Sequence, residues 1–179
     1  MKFKGFKMKK IVLLMTVMAF SFASNLEFKT LRANFIQNVS TKESSLSYEG
    51  SFIIDVNHAF WHYKSPYLKK FYFQQNTITI IEPELEQVII TKMDKMPNLI
   101  EILHSAKQDR NDSSLYSATY EGVTYKVKMS ANLPVKIWYR DSLDNDVVIN
   151  LKDVIKDRAI TDFEIFTPKI PNGYDIIYQ

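Results

Sequence analysis

The chain has 179 residues, no cysteine, 13% aromatic side chains and a formal charge of +3 from 23 basic and 20 acidic groups. That length fits one domain able to bury a sizeable core. The missing cysteine excludes a disulfide scaffold, a thiol nucleophile and a lipid anchor attached at a leader cleavage site.

The chain opens with Lys2, Lys4, Lys7, Lys9 and Lys10, then an apolar run from Ile11 to Phe20 and small residues at Ser21 and Ala23. This pattern predicts a secretory signal peptide over 1–23, cleaved after Ala23, and a single domain over 24–179. The apolar run is short for a membrane span. Five lysines and no acids precede Ser24, so the remainder has 18 basic against 20 acidic side chains. The positive charge is therefore a property of the leader, and nothing in it calls for a nucleic-acid partner. The leader predicts a bacterial periplasmic location.

Phe28, Leu31, Phe35 and Val39 form an apolar stripe that predicts a helix over 25–39, capped by Asn25. Strand signals follow. Leu46, Tyr48, Phe52 and Ile54 fall in alternation, and residues 60–73 form an aromatic block, FWHYKSPYLKKFYF, half of it Phe, Tyr or Trp. Pro66 divides the block into two strands joined by a turn. Further strands are expected at Ile78 and Ile80, and at Val88 and Ile90 beyond a turn at Pro83. Leu99, Ile102, Leu103 and Ala106 have helical spacing within 97–107. Strand character resumes over 115–120, crosses a turn at Glu121 and Gly122, and continues through Tyr125, Val127 and Met129. Val135, Ile137 and Tyr139 precede a polar turn at 141–145, then come Val147, Ile149 and Leu151. Segments 163–166 and 174–177 close the chain as strands.

Some ten strands and two helices define a mainly β chain with some α, an α+β fold built on a mostly antiparallel sheet in sequence order. A helix of about twelve residues is about 18 Å long, too little to cover ten strands spaced about 4.8 Å apart. The sheet must curl on itself into an incomplete, half-open barrel, with helices lidding an apolar cavity. An apolar cavity suits acylated ligands, because each buried methylene contributes about 0.8 kcal/mol.

Catalytic patterns are weak. There is no GxSxG elbow or HExxH helix, and His58, His62 and His104 lack metal-ligand spacing. Glu82, Glu84 and Glu86 read as a solvated turn without a partner base. Asp141, Asp144 and Asp146 read as a polar hairpin, because the calcium-loop Gly and Glu are missing. No enzyme activity, cofactor or metal is expected.

The order of these segments resembles the LolA family, periplasmic carriers of outer-membrane lipoproteins, from about Leu31 to Ile177. Residues 31–37, LRANFIQ, are similar to its first-helix pattern ending in Phe-x-Gln. Gly50 resembles a strand opening, and Trp61, Tyr63 and Pro66 its Trp-x-aromatic element. Pro83 with Glu86, Gln87 and Val88 resembles its turn into the next strand, and Leu133, Asp141 and Val147 its late hairpin. Phe163, Phe166, Pro168, Gly173 and Asp175 resemble its closing signature. The family's Arg-Pro before the Trp element is replaced by Asp55, Val56 and Asn57, and its Asp-Gly turn by 74–76. That Arg is expected to hold the lid shut, and His58 is a candidate substitute.

The resemblance implies a monomeric carrier that takes acylated lipoproteins from an inner-membrane ABC exporter and passes them to an outer-membrane acceptor. Phe52, Ile54, Trp61, Tyr63, Phe71, Phe73, Ile78, Ile80, Val88 and Ile90 are the expected acyl-chain wall. Leu31 and Phe35 from the first helix and Leu99, Ile102 and Leu103 from the second are the expected lid. The alternative is a non-carrier envelope protein of the same fold, a lipoprotein sensor or protein-interaction module with a filled interior.

Overall fold

The computed structural model describes residues 26–92 and 99–179; the leader, its expected cleavage point, Asn25 and Pro97 lie outside them. Alternating apolar and polar positions, rich in aromatic and β-branched side chains, carry most of this length into strands. β1 (Thr30–Ser40), β2 (Ser45–Asp55), β3 (His58–Ser65), β4 (Lys69–Gln74), β5 (Thr77–Glu82) and β6 (Gln87–Lys92) pair as successive antiparallel neighbours. A short helix, α1 (Leu99–His104), precedes β7 (Lys107–Gln108), β8 (Leu115–Tyr120), β9 (Val123–Ser130), β10 (Leu133–Arg140), β11 (Asp146–Lys156) and β12 (Asp175–Tyr178). The sheet order is β12-β6-β5-β4-β3-β2-β1-β11-β10-β9-β8-β7. The expected turns at 74–76, 121–122 and 141–145 all join strands. Glu121 (φ 48°) and Gly122 (φ 80°) supply the two left-handed residues of a tight hairpin.

Four expectations are corrected. Residues 30–40 form a strand, not a helix. A spacing of four is even, so Leu31, Phe35 and Val39 share a strand face as readily as a helix face. Ala33 and Gln37, small and polar, complete that face and hide the alternation. Second, the α content is one helix of six residues among those described. Third, Phe163–Phe166 is a 3-10 turn, with Asp162 accepting at 3.0 Å from the Glu164 amide. Fourth, the sheet is mostly antiparallel, with β12 parallel to β6, but it is not in sequence order: β11 returns to pair with β1.

Directly opposed residues share a face, and the register traces one apolar face across the sheet. Phe71 opposes Trp61, Trp61 opposes Phe52, Phe52 opposes Ala33 and Leu31 opposes Ile54. Beyond β1, Phe35 opposes Leu151, Ile149 opposes Ile137, and Val127 opposes Ile137 and Tyr116. Except for Phe71 and Trp61, these side chains and Ile100, Ile102 and Leu103 of α1 form the main core, and Trp61 packs against it. A six-residue helix has little intrinsic stability, so burial of these three residues holds α1. The opposite face carries a smaller core, in which the C-terminal segment places Ile160 and Phe166 on Ile53 and Phe60, and Tyr174 beside Tyr72, Ile81 and Val88.

Candidate functional site: an apolar cavity within the curled sheet

In a flat sheet β4 and β9, six strand intervals apart, would lie roughly 29 Å from each other. Here Phe71 and Phe73 of β4 line the same cavity as Tyr125 of β9 and Ile137 and Tyr139 of β10, so the sheet is strongly curled. Ala59, Trp61 and Tyr63 of β3, Gln37 of β1 and Ile149 of β11 complete the strand wall. Leu99 and Ile102 of α1 form the remaining side. The cavity volume is about 270 Å³.

The wall is an aromatic relay. Phe71 lies 6.5 Å from Phe73 and 5.3 Å from Tyr63, and Tyr63 lies 5.1 Å from Phe35, centroid to centroid. Phe35 in turn meets Trp61 at 5.3 Å, and Trp61 meets Phe52 at 4.6 Å. Gly50 makes this possible. A β-carbon there would fall 2.6 Å from Phe35 Cζ and would collide with the His62 carbonyl. Gly50 thus sits mid-strand as the place where the Phe35 ring crosses β2, rather than opening a strand.

Few polar groups enter the wall: Gln37 and the hydroxyls of Tyr63, Tyr125 and Tyr139. The Tyr63 hydroxyl donates to Gln37 Oε1 at 2.8 Å. Burial raises the Tyr63 phenol well above its usual range, with Tyr139 and Tyr48 adding to the effect. Burial, then Tyr125 and Asp141, pushes Tyr139 up to about 12. Both are neutral donors at any physiological pH. Among the described residues no group of three or more His, Asp or Glu could hold a metal ion. Asp141 is absorbed by its own hairpin, accepting from the Leu143 and Asn145 amides at 2.9 Å each.

The expected wall and lid residues divide four ways. Trp61, Tyr63, Phe71, Phe73, Leu99 and Ile102 line the cavity. Phe52, Ile54, Leu31, Phe35 and Leu103 lie on the same side but are buried in the core beneath it, and Leu31 and Phe35 belong to β1, not to a helix. Ile78 and Ile80 share the cavity face by opposing Phe73 and Phe71. Val88 and Ile90 face the other way, into the cluster with Tyr72 and Ile81, because Ile89 and Thr91 are the residues opposite Ile80 and Ile78. Gln37, Tyr125, Ile137, Tyr139 and Ile149 were not anticipated. Their alternation marks strands, but only the curl brings them to the aromatic block.

His58 does not approach the cavity. Its Nδ1 lies 3.1 Å from Asp55 Oδ1 and its ring stacks on Phe166 at 5.1 Å, on the outer face. His104 instead ties α1 down. Its Nε2 lies 2.7 Å from the Phe28 carbonyl and 3.2 Å from the Phe28 amide, so either tautomer finds a partner. Its ring meets Phe28 edge-on at 5.6 Å.

A curled sheet around an apolar, aromatic-lined cavity, with a short helix along one side, defines a half-barrel whose cavity has the chemistry of an apolar-ligand site. The family model for the outer membrane lipoprotein carrier protein LolA matches residues 27–128. An outer-membrane lipoprotein carrier protein of Campylobacter jejuni is 40% identical over 156 residues, covering 87% of this chain and 90% of that one. One from Helicobacter hepaticus is 30% identical over 176 residues, covering 95% and 96%. The crystal structure of a LolA superfamily protein from Nitrosomonas europaea superposes with a TM-score of 0.55 at 11% identity, covering 80% of this chain and 92% of that one. The chain belongs to the LolA family.

Proposed function

We propose that this protein is a periplasmic lipoprotein carrier that holds the acyl chains of its cargo in the cavity bounded by β3, β4, β9, β10 and α1. The observation that carries this reading is the cavity itself: aromatic-lined, with few polar groups and with Tyr63 and Gln37 paired to each other, inside a LolA-family chain. Family membership supports a non-catalytic transport role. In this reading 1–23 is the removed leader and 24–179 the carrier domain. Cargo arrives from an inner-membrane ABC exporter and leaves to an outer-membrane acceptor.

A volume of about 270 Å³ lies below the roughly 300–1,000 Å³ typical of pockets for drug-sized ligands. A multi-chain lipid anchor therefore needs α1 displaced. α1 acts as the lid, and the His104–Phe28 contact is its polar tie in the absence of the family arginine. One fully buried acyl chain of about fifteen methylenes gains about 12 kcal/mol gross, so a cavity held open and fully complementary would not release cargo. A small, partly covered cavity whose lid must be displaced offsets part of that gain, and aromatic walls can repack around chains of different shape.

The test is lipoprotein capture. Protein incubated with lipoprotein-bearing inner-membrane vesicles and an energised exporter is recovered and analysed by native mass spectrometry. The expected result is a complex with one acylated protein, lost in Leu99→Asp and Phe73→Asp. An empty protein despite supplied lipoproteins, or capture indifferent to both substitutions, would overturn the reading.

A further inference from the structure

The outer face of the sheet differs between its two ends. Over β2–β6 it is covered by the C-terminal segment through Ile160, Phe166 and Tyr174. Over β8–β11 it carries cations. Lys126, Lys136 and Lys152 project there, because their neighbours Val127, Ile137 and Leu151 point into the core. Lys107 stands at the sheet edge opposite Ser117, which pairs with Lys126. Trp138 lies among them, half-exposed, opposite Lys126 and Val148, with Lys136 Nζ 5.3 Å from its ring centroid.

Two nearby acids are already paired: Asp112 takes Lys128 at 2.8 Å and Asp146 takes Arg140 at 2.9 Å, while Asp153 accepts from the neutral Asn34 amide at 2.9 Å and keeps its charge. No ion pair among the described residues involves Lys107, Lys126, Lys136 or Lys152. The chain after residue 23 has more acids than bases, so four unneutralised lysines around an accessible indole make a local reversal of charge.

We infer that this face docks reversibly onto anionic phospholipid bilayers. Indole rings favour the headgroup layer, where one edge is apolar and the other wet. Lysine stems reach across apolar surface while their ammonium groups meet phosphates. Each lysine close to an anionic surface strengthens association about fivefold. Four together give a weak, salt-sensitive hold that suits a shuttle between membranes. The patch is on the opposite face from the cavity, so docking leaves the cavity free. A nucleic acid offers the same anionic chemistry, but the envelope location proposed above favours lipid; the inference rests on that location.

The experiment is co-sedimentation of the protein with vesicles of equimolar phosphatidylethanolamine and phosphatidylglycerol, against pure phosphatidylcholine, at low and high salt. The expected result is binding to the anionic vesicles alone, abolished by salt, with a blue shift in emission that Trp138→Phe removes. The double substitution K126E/K136E should weaken binding about thirtyfold or more, while Lys92→Glu, exposed on the other half of the sheet, should not. If K126E/K136E melts early, the exposed pair K107E/K152E takes its place. Absence of anionic-vesicle binding at low salt, indifference to both double variants, or tighter binding to duplex DNA than to vesicles would overturn the inference. Lipoprotein capture in detergent micelles should survive K126E/K136E, so failure of docking and failure of the carrier role are read separately.

Discussion

On the inner face of β3 and β4, Trp61, Tyr63, Phe71 and Phe73 end at open space; on the outer face of the same strands, Phe60 and Tyr72 end against each other at 4.8 Å and against neighbouring side chains. The residue types are alike and the sequence alternates between them without a break. What differs is the covering. The outer aromatics meet a later segment of the same chain, which buries Tyr72 and half-buries Phe60. The inner ones meet a sheet curled too widely to fill with side chains, and a helix too short to cover it. An aromatic-rich strand therefore becomes a core or a binding wall according to what the distant chain brings to it.

The sharpest way to break this comparison is to remove one large ring from each face. Phe35→Ala and Phe166→Ala each delete a ring that is 2% exposed, and each should cost about 3–5 kcal/mol in urea unfolding. Only Phe35→Ala should also change cavity binding of a fluorescent fatty acid, because Phe35 supports Trp61 and Tyr63. Equal binding loss in both variants would mean the faces are not independent. Gly50→Ala should cost about 1–3 kcal/mol through forced displacement of the Phe35 ring, read as a lowered urea midpoint.

Phe73→Ser, at the cavity wall, should reverse the pattern. Fatty-acid affinity falls about tenfold or more, from loss of part of the roughly 1.5–3 kcal/mol of a buried aromatic, with little change in melting temperature. The smallest effect concerns the buried Glu82, which accepts from Lys69 and Gln87. Burial opposes its ionisation, but those hydrogen bonds and the Lys69 charge prevail and hold its carboxyl below the ordinary 4.5. Its contribution to stability is complete above the unfolded value and is lost as pH falls through the folded one. Wild type should therefore lose more stability than Glu82→Gln between neutral pH and the acid side of 4.5. Parallel acid-unfolding curves would remove Glu82 from the account.

Much of the sheet was legible because period-two alternation is local. Strands at Trp61–Tyr63, Phe71–Phe73, Tyr125–Met129 and Val147–Leu151 and their connecting turns follow from it. The spacing of Leu31, Phe35 and Val39 was not decisive, since four residues return to the same face in both a helix and a strand. The cavity was half legible. Trp61, Tyr63, Phe71 and Phe73 follow from the aromatic block, but Tyr125, Tyr139 and Ile149 enter through curvature, which no local pattern encodes. Val88 and Ile90 were misplaced because β6 is apolar on both faces, from Val88 to Ile90, and alternation cannot then choose a side. The lysine face was hidden for a similar reason: Lys107, Lys126, Lys136 and Lys152 lie far apart in sequence and are gathered only by strand pairing.

The described sheet begins at β12 and ends at β7 without joining the two. In a closed barrel, strand number and stagger fix the radius. Here the ring is split, so its circumference is not locked by a last row of hydrogen bonds. The wall can widen as a split ring does, by small changes of twist spread over many strands, with every existing ladder intact. Such a seam would let the cavity change girth without unfolding any part of the core.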